Sequence, residues 1–143
     1  MKIAHINDFG KKQSIKEHLL GTAEKAEQFA EEFGYGEAGY LCGLMHDIGK
    51  YSEAFQRRIN DPEHEKKVDH STAGAKELCH MSREYVFLAM AVAGHHSGLM
   101  DGGNKKVSEA EDGTFFGRLK KEIPPYDDWE KEIVVKKAEM PGF

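Results

Sequence analysis

The stretch that most constrains the fold is "GYLCGLMHDIGKYSEAF", residues 39–55. From Tyr40 to Ile48 it is a nearly unbroken apolar run. A helix with apolar residues on most of its sides must be buried on most of its sides. His46 and Asp47 interrupt this run. Two ionisable groups at the end of a buried helix are costly unless they are paired or bound to metal. The segment therefore predicts a central helix that ends in a functional site.

The rest of the pattern predicts an all-α fold. The 143 residues suffice for one domain with its own core. Ser14 and Glu17 form a capping-box pattern before a first helix, whose apolar stripe should extend to Phe33 and stop at Gly34. No strand alternation, internal repeat or linker is visible. Besides the central helix, further helices are predicted at residues 52–60, 70–79, 82–95, 114–123 and 127–139, with loops at 61–69 and 96–104.

Composition excludes several classes of protein. The formal net charge of −5 provides no global basic field for nucleic acid, so local lysines or bound cations would have to hold such a substrate. Cys42 and Cys79 are not in CxxC spacing, which argues against a disulfide scaffold and a thiolate zinc site. No apolar run approaches the ~20 residues of a membrane span, and the first residues lack the apolar region of a signal peptide. The sequence therefore predicts a cytoplasmic protein without a membrane partner.

Histidines are the most informative polar residues, because several lie at predicted helix ends or beside apolar faces. Imidazole nitrogens and carboxylate oxygens suit divalent Mn, Fe, Co, Ni or Zn. Taken singly, His18 could be a half-buried structural residue, His70 a helix cap after Asp69, and His95 with His96 a solvated helix terminus. Spacing alone does not show that they converge. The candidate metal ligands are His18, His46, Asp47, His70, His95 and His96.

Several segments together carry a resemblance to a known family. "HD" followed by "IGK" resembles the signature of the HD phosphohydrolase superfamily. "HLLGTAEKAEQFAEEFG", "GYLCGLMHDIGKYSEAFQRRI", "DHSTAGAKEL" and "AVAGHHSGLMDGG" follow one another in the order and approximate spacing of the HD nuclease domain of Cas3 proteins, the CRISPR-associated nuclease-helicases of type I systems. "LKKEIPPYDDW" resembles the stretch that comes next in that family. The resemblance extends from about Met1 to the C-terminus.

The resemblance implies a helical bundle around a metal centre with up to two ions. One ion would be held by His18, His46 and Asp47, and the other by Asp47, His70, His95 and His96, with Asp47 bridging. Catalysis would depend on Asp47 and on Lys50, whose side chain would contact the scissile phosphate. The alternative for Lys50 is a solvated lysine near a helix end.

The implied function is that of a metal-dependent phosphodiesterase that degrades single-stranded DNA in CRISPR antiviral defence. The implied partners are a Cas3 helicase domain or subunit and the type I surveillance complex. Ser97, Lys105 and Lys106 would line the path of the strand, although a lysine pair in a loop is often only solvated. Two alternatives remain at this point: an HD-type nucleotide phosphohydrolase, and a truncated HD bundle that binds metal without turnover.

The sequence departs from the family in one important place. The family has a late aspartate, in a segment resembling "SxLxDAD", that completes the first metal site, and no such segment is found here. Asp101, Asp112, Asp127 and Asp128 are the remaining candidates. The resemblance thus implies that residues 1–143 form a single HD nuclease domain, an N-terminal piece without the last ligand helix and the helicase. We expect such a chain alone to be metal-poor or to carry one ion.

Overall fold

The computed structural model describes residues 1–140 and confirms the predicted helical fold class. Two short 3₁₀ turns, Ile48–Tyr51 and Arg83–Tyr85, join longer elements. No helix within residues 1–140 has the length and apolar character that crossing a bilayer requires. The elements are β1 (Ile3–Ile6), β2 (Lys12–Ser14), α1 (Ile15–Glu31), α2 (Gly36–Met45), α3 (Glu53–Asn60), α4 (Thr72–Met81), α5 (Val86–Gly94), α6 (Phe115–Leu119) and α7 (Trp129–Glu132).

Helix α2 lies at the centre of the core, as its apolar sequence predicts. It packs against α1, α4 and α5. Its Leu41, Leu44 and Met45 side chains are buried in one cluster with Leu78 of α4 and Val92 of α5. Burial on most sides leaves the end of α2 enclosed by neighbouring elements, and His46 and Asp47 are at that end.

Helices α1 and α2 form the closest pair in the fold. Ser14 caps α1 as predicted, with its hydroxyl oxygen accepting a hydrogen bond from the Glu17 amide (3.1 Å). Gly43 of α2 lies against the backbone of Ala23, and a Cβ at this position would be only 2.7 Å from the Ala23 Cα. Glycine thus allows direct backbone contact, which brings His18 of α1 beside the end of α2.

The prediction that the chain contains no strand was wrong for its first residues. Strands β1 and β2 pair antiparallel around a turn that Gly10 closes with a φ of +79°. Strands of three or four residues are too short to show a period of two, and Ile3 and Ala4, although adjacent, are both buried. This hairpin covers one side of the helix ends that carry the site.

Several predicted helix ends were also wrong, among them that of α6, which stops at Leu119 instead of residue 123. Helix α1 stops at Glu31, and Phe33 is 77% exposed instead of belonging to the buried stripe. The last helix was predicted over residues 127–139, but only α7 forms, and the chain is extended from Ile133. β-Branched residues at 133–135 favour extended backbone. Tertiary contact also fixes this segment, because the Tyr85 hydroxyl donates to the Ala138 carbonyl (2.9 Å) and accepts from its amide (3.0 Å).

Candidate metal centre

The carboxylate of Asp47 is the centre of the site. Asp47 follows directly after the residue that ends α2, and it is only 3% exposed. Its Oδ2 atom lies 2.9 Å from Nε2 of His18 and 3.1 Å from Nε2 of His46. The two imidazole nitrogens are themselves 3.1 Å apart. We call His18, His46 and Asp47 the three-residue group.

The other carboxylate oxygen faces a second set of histidines. Oδ1 of Asp47 lies 3.0 Å from Nε2 of His95, 3.5 Å from Nε2 of His70 and 3.9 Å from Nε2 of His96. His70 and His96 approach each other to 2.7 Å through their Nε2 atoms. We call Asp47, His70, His95 and His96 the four-residue group. In both groups the possible ligand atoms lie within 4.8 Å of one another, so the six predicted ligands do converge.

Different elements deliver the four histidines that flank α2. His18 projects from α1, His70 lies in the loop before α4, and His95 and His96 follow the end of α5. Gly49 explains how the His70 loop comes so close to Asp47. A Cβ at position 49 would lie 2.7 Å from the His70 Cα, so only glycine leaves room for that backbone.

Backbone carbonyls fix the orientation of three rings. Nδ1 of His46 donates to the Gly43 carbonyl (2.6 Å), and Nδ1 of His95 donates to the Val92 carbonyl (2.7 Å). His70 makes a longer bond of the same kind, to Val68. A carbonyl only accepts, so Nδ1 must carry the proton, and the Nε2 of a neutral ring then directs a lone pair at the carboxylate. This second-sphere arrangement is the one typical of metal-binding histidines.

The charge state of the site follows from burial and hydrogen bonding. Burial alone would raise the pKa of Asp47, but its contacts with the His18, His46 and His95 rings outweigh burial and hold the pKa far below its usual range. Burial lowers the pKa of His70 to about 4, which keeps its imidazole neutral at physiological pH. Burial and the neighbouring His95 charge lower the pKa of His96 as well. His95 differs, because its hydrogen bond to Asp47 outweighs burial and raises its pKa. A metal ion would displace a proton there, since anionic oxygens and neutral imidazoles are the forms that bind metal.

Lys50 occupies a different place from the one expected. Its side chain is buried, with only 3% of the residue exposed, so the alternative of a solvated lysine is wrong. The ammonium group donates to the Ala4 carbonyl (3.2 Å) and lies 3.3 Å from Oδ2 of Asp47 and 5.3 Å from the centre of the Phe55 ring. Its contact with a substrate phosphate stays a prediction, and the geometry pairs its charge with that of Asp47.

None of the four candidates for the late aspartate joins either group within residues 1–140. Asp128 forms ion pairs with Lys2 and Lys131, both at 3.0 Å, and Asp112 accepts a hydrogen bond from a nearby backbone amide. His5, to which the sequence gave no role, packs its ring edge against His18 at a centroid distance of 4.7 Å. His5 is thus the additional imidazole nearest to the three-residue group.

A cleft of about 650 Å³ opens beside the four-residue group. His70 and His96 are on its wall, together with Ser97, which the sequence predicted there. The positive charges in this wall come from Lys67, Arg118 and Lys121, none of which the sequence singled out. A possible signal for Arg118 was its place as the one charged residue in the apolar stretch "FFGRL".

The lysines that the sequence did single out lie elsewhere. Lys105 stands over the Phe116 ring, 5.5 Å from its centre, and lines a separate hollow with Cys79. Lys106 is exposed and is not part of the cleft wall. The strand path predicted through these two lysines is therefore not where the basic wall of the cleft lies.

The donor set fits a divalent ion. Nε2 of His46 and of His95 each present a lone pair to a carboxylate oxygen at about 3 Å, where two acceptors repel unless a proton or a cation lies between them. Nitrogen and oxygen atoms arranged in this way suit borderline divalent metals.

Comparison with known families agrees with this geometry. The model of the HD domain matches residues 15–128, which include every residue of both groups. The chain belongs to the HD domain family. A comparison with curated proteins found no match. HD domains form a superfamily of metal-dependent phosphohydrolases, and the His/Asp cluster of this HD domain is consistent with that activity.

Proposed function

We propose that this HD domain is a metal-dependent nuclease that cleaves single-stranded DNA. The observation that carries the proposal is the pair of ligand groups sharing one buried carboxylate, with the four-residue group facing an open cleft. An extended strand can enter such a cleft, because it is open to solvent beside His70 and His96. The ordered motifs that resemble Cas3 nuclease domains support the same assignment.

The chain's own residues have three roles in this proposal. His18, His46 and Asp47 would hold one divalent ion, and the four-residue group would hold another. Two such ions supply Lewis-acid stabilisation of phosphate charge and lower the pKa of a bound water. Asp47 orients both groups because its two oxygens face opposite sets of imidazoles. The 4% exposure of its side chain keeps water from competing for those oxygens.

The positive side chains of the cleft wall would receive the phosphate backbone. Lys67 is exposed at the cleft, and Lys121 is half-exposed with its ammonium 3.0 Å from Asp69. Phosphate contacts of this kind are insensitive to base sequence. We therefore propose a nuclease without sequence preference, with Mn, Fe, Co, Ni or Zn as its metal.

The biological setting of the proposal rests on the resemblance alone. Residues 1–143 would be a single HD nuclease domain that acts in the cytoplasm in CRISPR antiviral defence. A Cas3-type helicase domain or subunit, recruited by the type I surveillance complex, would feed it single-stranded DNA. The isolated chain can still be tested for its chemistry, because the cleft and both groups belong to it.

A direct experiment compares substrates. The purified chain is incubated with single-stranded DNA, duplex DNA and nucleoside triphosphates, each in the presence of Mn²⁺ or Ni²⁺. We expect weak cleavage confined to the single strand, lost in Asp47→Ala and kept in Asp112→Ala. Turnover of nucleotides with intact DNA would identify a nucleotide phosphohydrolase instead. Metal binding with no turnover of any substrate would favour a non-catalytic HD bundle.

A further inference from the structure

Arg118 makes an unusual set of contacts for a residue that is not a ligand. It projects from the short helix α6 into the gap between the start of α4 and the end of α5. Its Nε donates to the Thr72 hydroxyl (2.7 Å), its Nη2 to the Ser71 hydroxyl (2.6 Å) and its Nη1 to the Ala93 carbonyl (2.6 Å). All five donors of a guanidinium lie in one rigid fork, so these three bonds fix the two helix ends relative to each other.

Each of these acceptors is close in sequence to a histidine of the four-residue group. Ser71 follows His70 directly, and Ala93 precedes His95 by two residues. The two histidine segments therefore meet Asp47 from different elements, and Arg118 is bonded to both. We propose that Arg118 is a positioning residue that sets the spacing between His70 and the His95–His96 pair. This inference rests on the metal centre of the proposed function.

A second contact strengthens this link on the α4 side. The Thr72 hydroxyl, which accepts from Arg118, donates to Oδ2 of Asp69 (2.6 Å). Asp69 lies two residues before the N-cap of α4 and accepts hydrogen bonds from the Ser71 amide (3.2 Å) and the Thr72 amide (3.1 Å). Lys121 also contacts Asp69, at 3.0 Å. The residue before His70 is thus held by the same network that Arg118 enters.

At the end of α5, Arg118 contributes a favourable charge as well as a hydrogen bond. The last carbonyls of a helix have no partner within the helix, and its C-terminal end carries a partial negative charge. Arg118 satisfies the Ala93 carbonyl, while the Val92 carbonyl accepts from Nδ1 of His95. The end of α5 and the ring of His95 are therefore ordered together.

The three-residue group is independent of this network. His18 and His46 are positioned by the backbone contact of α1 with α2, in which Gly43 lies against Ala23. Arg118 contacts neither helix through the bonds described above. Loss of Arg118 should accordingly weaken the four-residue group and spare the three-residue group.

The test is Mn²⁺ titration of the full chain by calorimetry, well below the unfolding temperature. Changes in residues that orient metal ligands typically weaken binding by 10–100-fold, so Arg118→Met should weaken binding at the four-residue group by about tenfold. We expect this group to hold the tighter ion, because it has one ligand more than the three-residue group. Arg118→Lys keeps the charge but not the fork and should recover only part of the loss. Arg83→Met, which removes an exposed arginine away from the network, should bind like the wild type.

Folding is checked on the metal-free proteins by circular dichroism and thermal unfolding. Ser71→Ala removes one of the three hydrogen bonds and provides a milder variant should Arg118→Met not fold. A lower affinity for the tighter Mn²⁺ ion in this variant also supports the proposal. A folded Arg118→Met with wild-type affinity would overturn it and leave Arg118 a stabilising residue only. The test uses no nuclease assay, so its result would stand even if the chain does not cleave single-stranded DNA. A wild-type chain that binds no Mn²⁺ would refute the metal centre and this inference together.

Discussion

The two ligand groups around Asp47 share one carboxylate but differ in how they are built. The three-residue group is supplied by α1 and by the end of α2, two helices in backbone contact, and its histidine side chains are less than one-fifth exposed. The four-residue group is supplied by a loop and by the end of α5, and the His96 side chain is 55% exposed. One group is sheltered throughout, and the other is open to the cleft at His96.

The two groups also differ in their number of ligands and in the charge that lies beside them. The four-residue group has three imidazoles and one carboxylate oxygen, which suffice for a four-coordinate ion. The three-residue group has one ligand fewer, and the Lys50 ammonium lies 3.3 Å from the oxygen that it uses. A cation at that distance competes with a metal ion for the same oxygen. The sheltered group should therefore be the weaker binder of metal, although it is the less exposed one.

This difference teaches how one carboxylate can serve two purposes. The sheltered group contacts one oxygen of Asp47, while its other oxygen faces the group beside the cleft. We expect the first ion to bind in the four-residue group. The following predictions test that order, beginning with the change that removes both groups.

Asp47→Ala should abolish measurable Mn²⁺ binding, because both groups lose their only carboxylate. Single histidine variants should each keep some binding, since each leaves one group intact. Metal content after dialysis and calorimetric titration are the measurements, with Asp112→Ala as the control carboxylate outside the site. Near-normal metal content in Asp47→Ala would contradict the bridging role.

Much of this site was accessible from the sequence. The apolar run up to His46 and Asp47 predicted a buried helix that ends in a functional site. The order of the motifs indicated which other histidines belong to that site. The fold class followed from helix caps such as Ser14 and from apolar periodicity. These signals are local, so they can be recognised from neighbouring residues without knowledge of the packing.

What the sequence missed depends on contacts between distant residues. The extended backbone after Ile133 is fixed by Tyr85, 53 residues before Ala138. Arg118 finds its acceptors at positions 46, 47 and 25 residues away. The burial of Lys50 also depends on the hairpin, because its ammonium donates to the Ala4 carbonyl. No period or cap in the sequence encodes pairings of this kind.

His70→Ala and His18→Ala compare the two groups directly. His70→Ala should weaken the tighter ion by more than about 100-fold, because loss of a ligand exceeds the effect of losing an orienting residue. His18→Ala should leave that ion nearly unchanged. Calorimetry with Mn²⁺ measures both variants. The opposite order would mean that the sheltered group binds first and that Lys50 does not compete.

Lys50→Met should strengthen the three-residue group. In a His70→Ala background, where mainly this group binds, the affinity for Mn²⁺ should rise by about tenfold as the competing charge disappears. The metal-free protein should lose about 3 kcal/mol of stability, since breaking a buried ion pair leaves Asp47 with less compensation. Thermal unfolding and calorimetry report the two effects. Weaker Mn²⁺ binding would indicate that Lys50 holds Asp47 in place for the metal.

Gly49→Ala should disturb the open group through its backbone. The new Cβ would meet the His70 backbone, which must shift, so stability should fall by about 2 kcal/mol and the tight ion should bind more weakly. Gly21→Ala is the matched control, because nothing lies within 4 Å of the added Cβ and alanine favours the helix there. Unchanged metal affinity in a folded Gly49→Ala would show that the His70 loop can adjust.

The smallest expected effect is that of the cysteines. Burial raises the pKa of Cys42 to about 11, and burial also raises the pKa of Cys79, so both thiols stay protonated near neutral pH. The thiolate is the form that binds metal, and neither sulfur belongs to a ligand group within residues 1–140. Cys42→Ala and Cys79→Ala should therefore bind Mn²⁺ or Zn²⁺ with wild-type affinity. Zn²⁺ is the stricter probe, because it has the greater preference for sulfur. A lower Zn²⁺ stoichiometry in either variant, or anomalous density beside either sulfur, would place a ligand outside the two groups and undo their comparison.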